Sequence, residues 1–329
     1  MRCRRRSPHP LLPLLTRLCA RRFMKLVSYF HANSDYRVSG PAQTVDSTRQ
    51  LVNDVREGEM TMEYPANVTL RNLYYFWFAP TLTYQIGFPK TQRVRWLYVV
   101  GILMRLAVSG AIIVFLMVQT INPSIEILLD NVEKSGGVDP MLFAETLVKL
   151  AIPNTYMWLC IFYWFFHCWM NLWAELTCFG DRVFYKDWWN CSEIGSYWRL
   201  WNLPVHMWLV RHAYMPILRC GFKPWVANLF VFLISAVLHE FVISVPFHFV
   251  RYYAFLGMLG QMPLVAVTKW MDKKFKGSSM GNIIFWLAFC VVGQPMGVLM
   301  YALDLASLRR GGEGGGGVMG GKAGWGKEL

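Results

Sequence analysis

The stretch from Val231 to Pro246 reads VFLISAVLHEFVISVP, an apolar run with His239 and Glu240 side by side near its middle. With its flanks, from Trp225 to Phe247, it is long enough for a membrane span, which needs roughly 18 or more predominantly apolar residues. An imidazole and a carboxyl at the centre of a span each oppose insertion by roughly 2.5–3.5 kcal/mol. Such groups persist where they do chemistry, or where they bond to a neighbouring helix. The run alone leaves both readings open.

Composition extends the membrane reading to the whole chain. Of 329 residues, 55% are hydrophobic, 16% aromatic and 16% charged, against about 25% charged in soluble domains. A mean hydropathy of +0.30 would demand an implausibly large soluble core. The fold class this predicts is an all-α, polytopic membrane protein. The formal charge of +13 is unevenly placed, because no acidic residue precedes Asp35 while eight Arg and Lys residues do. The remaining excess lies in loops such as Lys90–Arg95, Arg211–Lys223 and Lys269–Lys276. That distribution fits the positive-inside rule and contact with anionic headgroups. It argues against nucleic acid as a partner, since the aromatics interleaved with these charges lie inside apolar runs. The eight cysteines form no CxxC and no paired spacing, so neither a disulfide framework nor a metal site is expected.

In chain order, residues 1–23 form an atypical Arg-rich start with a short apolar patch at Leu11–Leu15, too short to span. Residues 24–95 read as extramembrane or interfacial, with 26–72 a mixed, aperiodic loop. The sequon Asn67-Val68-Thr69 is a common chance match. Five spans are predicted: 96–121, closed by Asn122-Pro123; 151–176, with His167 and Asn171 one turn apart; 225–247; 252–269; and 282–305. No internal repeat of the transporter kind is visible. Between the second and third spans, 180–224 is dense in charge and tryptophan and reads as amphipathic pieces at the membrane surface. Such a loop can receive a charged, soluble substrate. Residues 306–329 are a Gly-rich tail of low complexity, expected to be disordered. Its final GKEL departs from the KDEL retrieval signal.

Several strings, in order, carry a resemblance to one family. FYKDWWN at Phe184–Asn190, WNLPVH at Trp201–His206, RHAYMP at Arg211–Pro216 and SAVLHEFVISVP at Ser235–Pro246 resemble the membrane-bound O-acyltransferases. FAPTLTYQ at Phe78–Gln85 and GQPM at Gly293–Met296 look like its diacylglycerol O-acyltransferase type 1 branch. MKLVSYFHANSDYR at Met24–Arg37 looks like that branch's plant and algal members. The resemblance covers about residues 24 to 305, with 96–305 as the catalytic core.

The resemblance implies transfer of a fatty acyl group from acyl-CoA to the hydroxyl of diacylglycerol, in the endoplasmic reticulum membrane, giving triacylglycerol and CoA. It implies that His239 is catalytic and that Asn202 partners it. Phe184, Tyr185, Asp187, Trp188, Trp189 and Asn190 inherit an association with acyl-CoA, with Trp201 beside them. His206 and Tyr214 match positions near the CoA entrance, and Ser235, Glu240, Met258, Gln261 and Gln294 match positions lining the reaction chamber. Acyl-CoA, diacylglycerol and the bilayer are the implied partners; homo-oligomerisation is left open. No cofactor is implied, because acyl-CoA is a substrate.

The residues themselves suit that chemistry. A lipid hydroxyl is a poor nucleophile until a base takes its proton, and a neutral imidazole can do so near neutral pH. Attack on the thioester creates an oxyanion that needs donors, for which the Asn202 amide is a candidate. A covalent acyl-Cys or acyl-Ser route is the alternative, but no cysteine adjoins His239. Each residue also has a plain structural reading. Trp188, Trp189, Trp201 and Trp208 could be interfacial anchors, Asp187 a helix cap, and Gln261 and Gln294 interhelical hydrogen bonds.

The sequence departs from the family at both ends. The family carries further spans upstream of the MKLVSY-like string, where this chain has only the Arg-rich segment, so the fold is expected without its first spans. After GQPM, an aromatic-His-Asp string is expected, but Tyr301-Ala302-Leu303-Asp304 lacks the histidine. Sterol or fatty-alcohol acylation, and a non-catalytic membrane protein, are the competing functional readings.

Overall fold

The computed structural model describes residues 12–49, 64–247, 249–275 and 279–313. Among these, the regular elements are helices, with one isolated antiparallel bridge between Lys90 and Phe179. The helices are α1 (Leu12–Arg49), α2 (Leu70–Phe78), α3 (Trp96–Leu116), α4 (Asn122–Ser135), α5 (Pro140–Phe162), α6 (Met170–Leu176), α7 (Ile194–Leu200), α8 (Leu203–Leu209), α9 (Met215–Arg219), α10 (Pro224–Phe247), α11 (Tyr253–Leu259), α12 (Gln261–Lys274), α13 (Met280–Leu287) and α14 (Gln294–Glu313). Their ends follow local chemistry. Thr69 caps α2 by accepting from the Asn72 N–H at 3.2 Å. Asp139 caps α5 through the Met141 N–H at 2.9 Å, with Pro140 in the first turn where no N–H is needed. Gly136, at φ 73°, ends α4 in the left-handed conformation that glycine adopts without penalty.

Three widened π turns precede prolines. Met117–Ile121 leads into Pro123, Val210–Tyr214 into Pro216, and Ala288–Gly293 into Pro295. A helical proline lacks its N–H and its ring crowds the carbonyl four residues back. A five-residue bond just before it, such as Asn122 N–H to the Met117 carbonyl, lets the helix continue. This corrects the expectation that Asn122-Pro123 closes the first span, because α3 runs through its π turn into α4 as far as Ser135.

Three described helices, Trp96–Ser135, Pro224–Pro246 and Met280–Ser307, are long and apolar enough to cross a membrane. Two of the five expected spans are absent from that set. The 151–176 stretch lies in continuous helix from Pro140 to Leu176, but Trp158, Trp164, Trp169, Trp173 and His167 dilute its hydropathy. The 252–269 stretch is two helices meeting at Gly260. The aperiodic loop expected over 26–72 is helix as far as Arg49, and α14 is helical to Glu313, inside the tail expected to be disordered. The remainder of that tail and the first eleven residues lie outside the described set.

α1 is fixed by side chains that bond to backbone. Lys25 Nζ donates to the carbonyls of Phe76 (2.5 Å), Trp77 (3.0 Å) and Ala79 (2.7 Å), the C-terminal end of α2. Ser28 Oγ accepts the Tyr84 N–H at 2.8 Å, and Trp208 Nε1 donates to the Met24 carbonyl at 2.8 Å. Around them pack Ala32, Tyr36, Phe76, Tyr84, Phe88, Phe179 and Phe184. A second cluster joins Phe162, Phe166, Trp188, Tyr197 and Phe285. A third, of Met24, Trp208 and Leu209 with Val205, Val231 and Ile234 against it, packs α8 on α1 and α10.

Candidate active site

A cavity of about 510 Å³ lies between α7, α8, the π turn at 210–214, α10, α11 and α12. α10 contributes Asn228, Phe232, Ser235 and His239. Their spacing of three or four residues puts them on one helical face. Asn202, Trp201, His206 and Tyr214 face them, and Met258 contributes from α11.

His239 Nδ1 lies 2.7 Å from the carbonyl oxygen of Ser235 and 3.4 Å from the Ser235 hydroxyl. Asn202 caps α8, its Oδ1 accepting the Val205 N–H at 3.3 Å. With the oxygen so used, the amide NH2 is the group left to meet a ligand.

Glu240 points elsewhere. It is 7% exposed and does not line the cavity. Its Oε1 accepts from the Ser244 hydroxyl and from the N–H groups of Arg251 (3.3 Å) and Tyr252 (3.1 Å). Its Oε2 accepts from the Phe255 N–H (3.2 Å) and the Tyr301 hydroxyl (3.4 Å). The carboxylate thereby gathers the start of α11 and ties it to α14, where Asp304 also meets Arg251 at 3.2 Å.

On the α7–α12 side of the cavity the lining is charged, with Lys269 of α12 and Glu193 and Arg199 of the α7 segment, the last two paired at 2.8 Å. Val265 packs against Gly195, where an added Cβ would lie 3.4 Å from its Cγ1, in van der Waals contact. Burial, and then the Arg199 charge, push the His206 pKa down to about 4, so its ring is neutral at physiological pH.

Comparison with known proteins bears on what this cavity serves. Residues 55–302 match the membrane-bound O-acyltransferase family. The chain belongs to that family. It is 44% identical over 288 residues to "Diacylglycerol O-acyltransferase 1C" of Glycine max, covering 87% of this chain and 53% of the relative. It is 42% identical over 287 residues to "Diacylglycerol O-acyltransferase 1" of Arabidopsis thaliana, covering 87% and 52%. To "Diacylglycerol O-acyltransferase 1" of Bos taurus it is 39% identical over 291 residues, covering 88% and 58%. The chain thus spans about half the length of the curated relatives it matches.

Within this membrane-bound O-acyltransferase, the FYKDWWN segment forms a wall behind the cavity. Phe184 and Trp188 are buried in the first two cores, and the Tyr185 hydroxyl meets His167 Nδ1 at 2.9 Å. Asp187, Trp189 and Asn190 are exposed, and Asp187 makes no side-chain cap. Gln261 and Gln294 are half-buried and, like the FYKDWWN residues, do not line the cavity. Seven expected site residues therefore come together: Trp201, Asn202, His206, Tyr214, Ser235, Met258 and His239. Glu193, Arg199, Lys269 and Asn228 line the same cavity and were not anticipated. A charged helix end next to a tryptophan-rich surface loop was the only signal for them.

Proposed function

We propose that this chain carries the catalytic core of an acyl-CoA:1,2-diacylglycerol O-acyltransferase of the endoplasmic reticulum membrane. The observation that carries the reading is the His239 ring, tethered through Nδ1 and lining one cavity with Asn202. In the neutral ring Nε2 holds the lone pair and takes the proton of the diacylglycerol hydroxyl. The oxygen attacks the thioester carbonyl, and the Asn202 amide donates to the oxyanion that forms. The carbon–sulfur bond breaks, the ester remains on the glycerol, and the imidazolium returns its proton to the CoA thiolate. A thiolate leaves readily without a separate acid. Arg199 and Lys269, lining the α7–α12 side of the same cavity, suit the phosphates of CoA. The product is triacylglycerol; acyl-CoA is consumed as a substrate and no cofactor is invoked.

The test is incorporation of labelled oleoyl-CoA by membranes expressing the chain, with diacylglycerol, a sterol and a long-chain alcohol offered side by side. Triacylglycerol should form and should vanish in His239→Ala. Full incorporation by that variant would remove His239 as the base, and sterol or wax ester as the main product would change the acceptor. An inactive chain that co-purifies with an intact acyltransferase would mark a non-catalytic partner.

A further inference from the structure

The turn at 189–194 joins the FYKDWWN segment to α7; Cys191 and Ile194 bury their side chains in the second cluster, while its backbone is bonded from α12 and α13. Asn282, in the first turn of α13, donates from Nδ2 to the carbonyls of Trp189 and Cys191, each at 3.0 Å. Trp286, one turn on, donates from Nε1 to the Trp189 carbonyl at 3.3 Å. Gly281 sits so close that a Cβ there would lie 1.8 Å from the Ser192 carbonyl oxygen. From α12, Thr268 Oγ1 accepts the Ile194 N–H at 3.2 Å. Glu193, the residue before α7, gives that helix no side-chain cap, so its start is set by these outside contacts. The helix so placed contributes Trp198 and Arg199 to the cavity that Lys269 of α12 also lines.

We propose that Asn282 is a positioning residue for the acyl-CoA side of the cavity, acting through the 189–194 backbone on Arg199. One carboxamide spanning two carbonyls fixes the turn in both position and rotation, which one hydrogen bond would not. Because Arg199 and Lys269 stand on different helices, their separation depends on how α7 is seated against α12 and α13. A site preorganised at the right separation loses less on ordering its ligand. Asn282 does not touch the cavity, so its effect falls on the charged side and not on His239. This inference rests on the acyl-CoA reading of the cavity.

The test uses the full chain in nanodiscs, with a non-transferable acyl-CoA thioether as the binding probe beside steady-state kinetics. Asn282→Asp keeps size and shape but turns an oxygen toward two carbonyls. It should weaken thioether binding and raise the acyl-CoA KM by about tenfold, the scale of one or two lost hydrogen bonds. The diacylglycerol KM and kcat should stay within about twofold. Trp286→Phe, which keeps the ring and loses one N–H, should give a smaller shift in the same direction. Equal shifts for both substrates, or a fall in kcat alone, would assign Asn282 a purely structural role. Thioether binding without triacylglycerol formation would overturn the proposed function yet leave this inference measurable. A wild-type chain that binds no thioether overturns both.

Discussion

His239 Nδ1 and the main-chain oxygen of Ser235 are 2.7 Å apart, one helical turn along α10. A carbonyl oxygen only accepts, so Nδ1 must carry the proton and the neutral ring offers its lone pair at Nε2. The contact also fixes the plane of the ring. His239→Ala should lower acyl transfer by about 10²–10⁴-fold, the usual worth of a positioned general base. His239→Gln should fall as far, since it retains polarity and size without basicity. Ser235→Ala should cost much less than either, because the bond to the backbone survives. Initial rates at saturating acyl-CoA check all three, and a Gln variant with near-normal rate would sink the base assignment.

Glu240 predicts a different kind of loss. Five donors converge on its carboxylate, three of them backbone N–H groups at 251, 252 and 255. Removing a shared acceptor leaves one buried and four partly buried donors unpaired, at up to roughly 1–3 kcal/mol for the most buried of them. Glu240→Ala should therefore lower the thermal unfolding midpoint in detergent by several degrees, with activity falling alongside stability. Tyr301→Phe leaves the carboxylate with four donors and frees only the Ala254 N–H that the hydroxyl accepts, so its effect should be clearly smaller than that of Glu240→Ala, about 1–2 kcal/mol. A stable but inactive Glu240→Ala chain would instead place the carboxylate in the chemistry.

These two neighbours show how far sequence reasoning reaches. The membrane class and the helix bearing His239 follow from hydropathy alone, whereas which face of α10 meets the cavity, with Asn228 and Phe232 beside Ser235 and His239, emerges only from the fold. Helical periodicity carries a warning, because consecutive helical residues point about 100° apart. Glu240 therefore faces α11 when His239 faces the cavity. α1 was illegible for another reason. Its inward face, Met24, Lys25, Ser28, Ala32 and Tyr36, mixes polar and apolar residues, and Lys25 and Ser28 are buried by bonding backbone groups near Phe76 and Tyr84. Hydropathy patterns miss a face of that kind. The charged side of the cavity and the Asn282 contacts join residues far apart in the chain, such as Trp189 and Asn282. No local pattern announces such pairs.

Acid should destabilise the fold through the surface-loop histidines. Burial, and then Arg199, hold the His206 pKa down to about 4, from an ordinary 6.5. His212 is lowered as well, by burial first and then by Arg211 and His31. Above pH 6.5 both rings are neutral folded or unfolded, and stability is flat. Between 6.5 and about 4 the unfolded chain binds protons that the folded chain refuses, so stability falls as pH falls. Unfolding midpoints measured from pH 8 to pH 4 should trace this slope, and His206→Gln should flatten it. An identical slope in that variant would show that His206 does not contribute.

Lys25 supplies the sharpest test of how α1 is held. Its ammonium has three donors, and the carbonyls of Phe76, Trp77 and Ala79 take all three, at 2.5, 3.0 and 2.7 Å. Those carbonyls belong to the end of α2, where backbone acceptors lack intrahelical partners. The positive charge also complements the helix dipole there. Lys25→Met keeps most of the stem's packing and deletes every donor, leaving buried carbonyls unpaired at roughly 1–3 kcal/mol each. The unfolding midpoint should drop by more than in any single surface substitution. Protease cleavage should rise first around 70–85, because Tyr84 reaches α1 through Ser28 and depends on the same packing. A Lys25→Met chain as stable and as protease-resistant as wild type would mean that the apolar contacts around Ala32, Tyr36 and Phe76 hold α1 without the lysine.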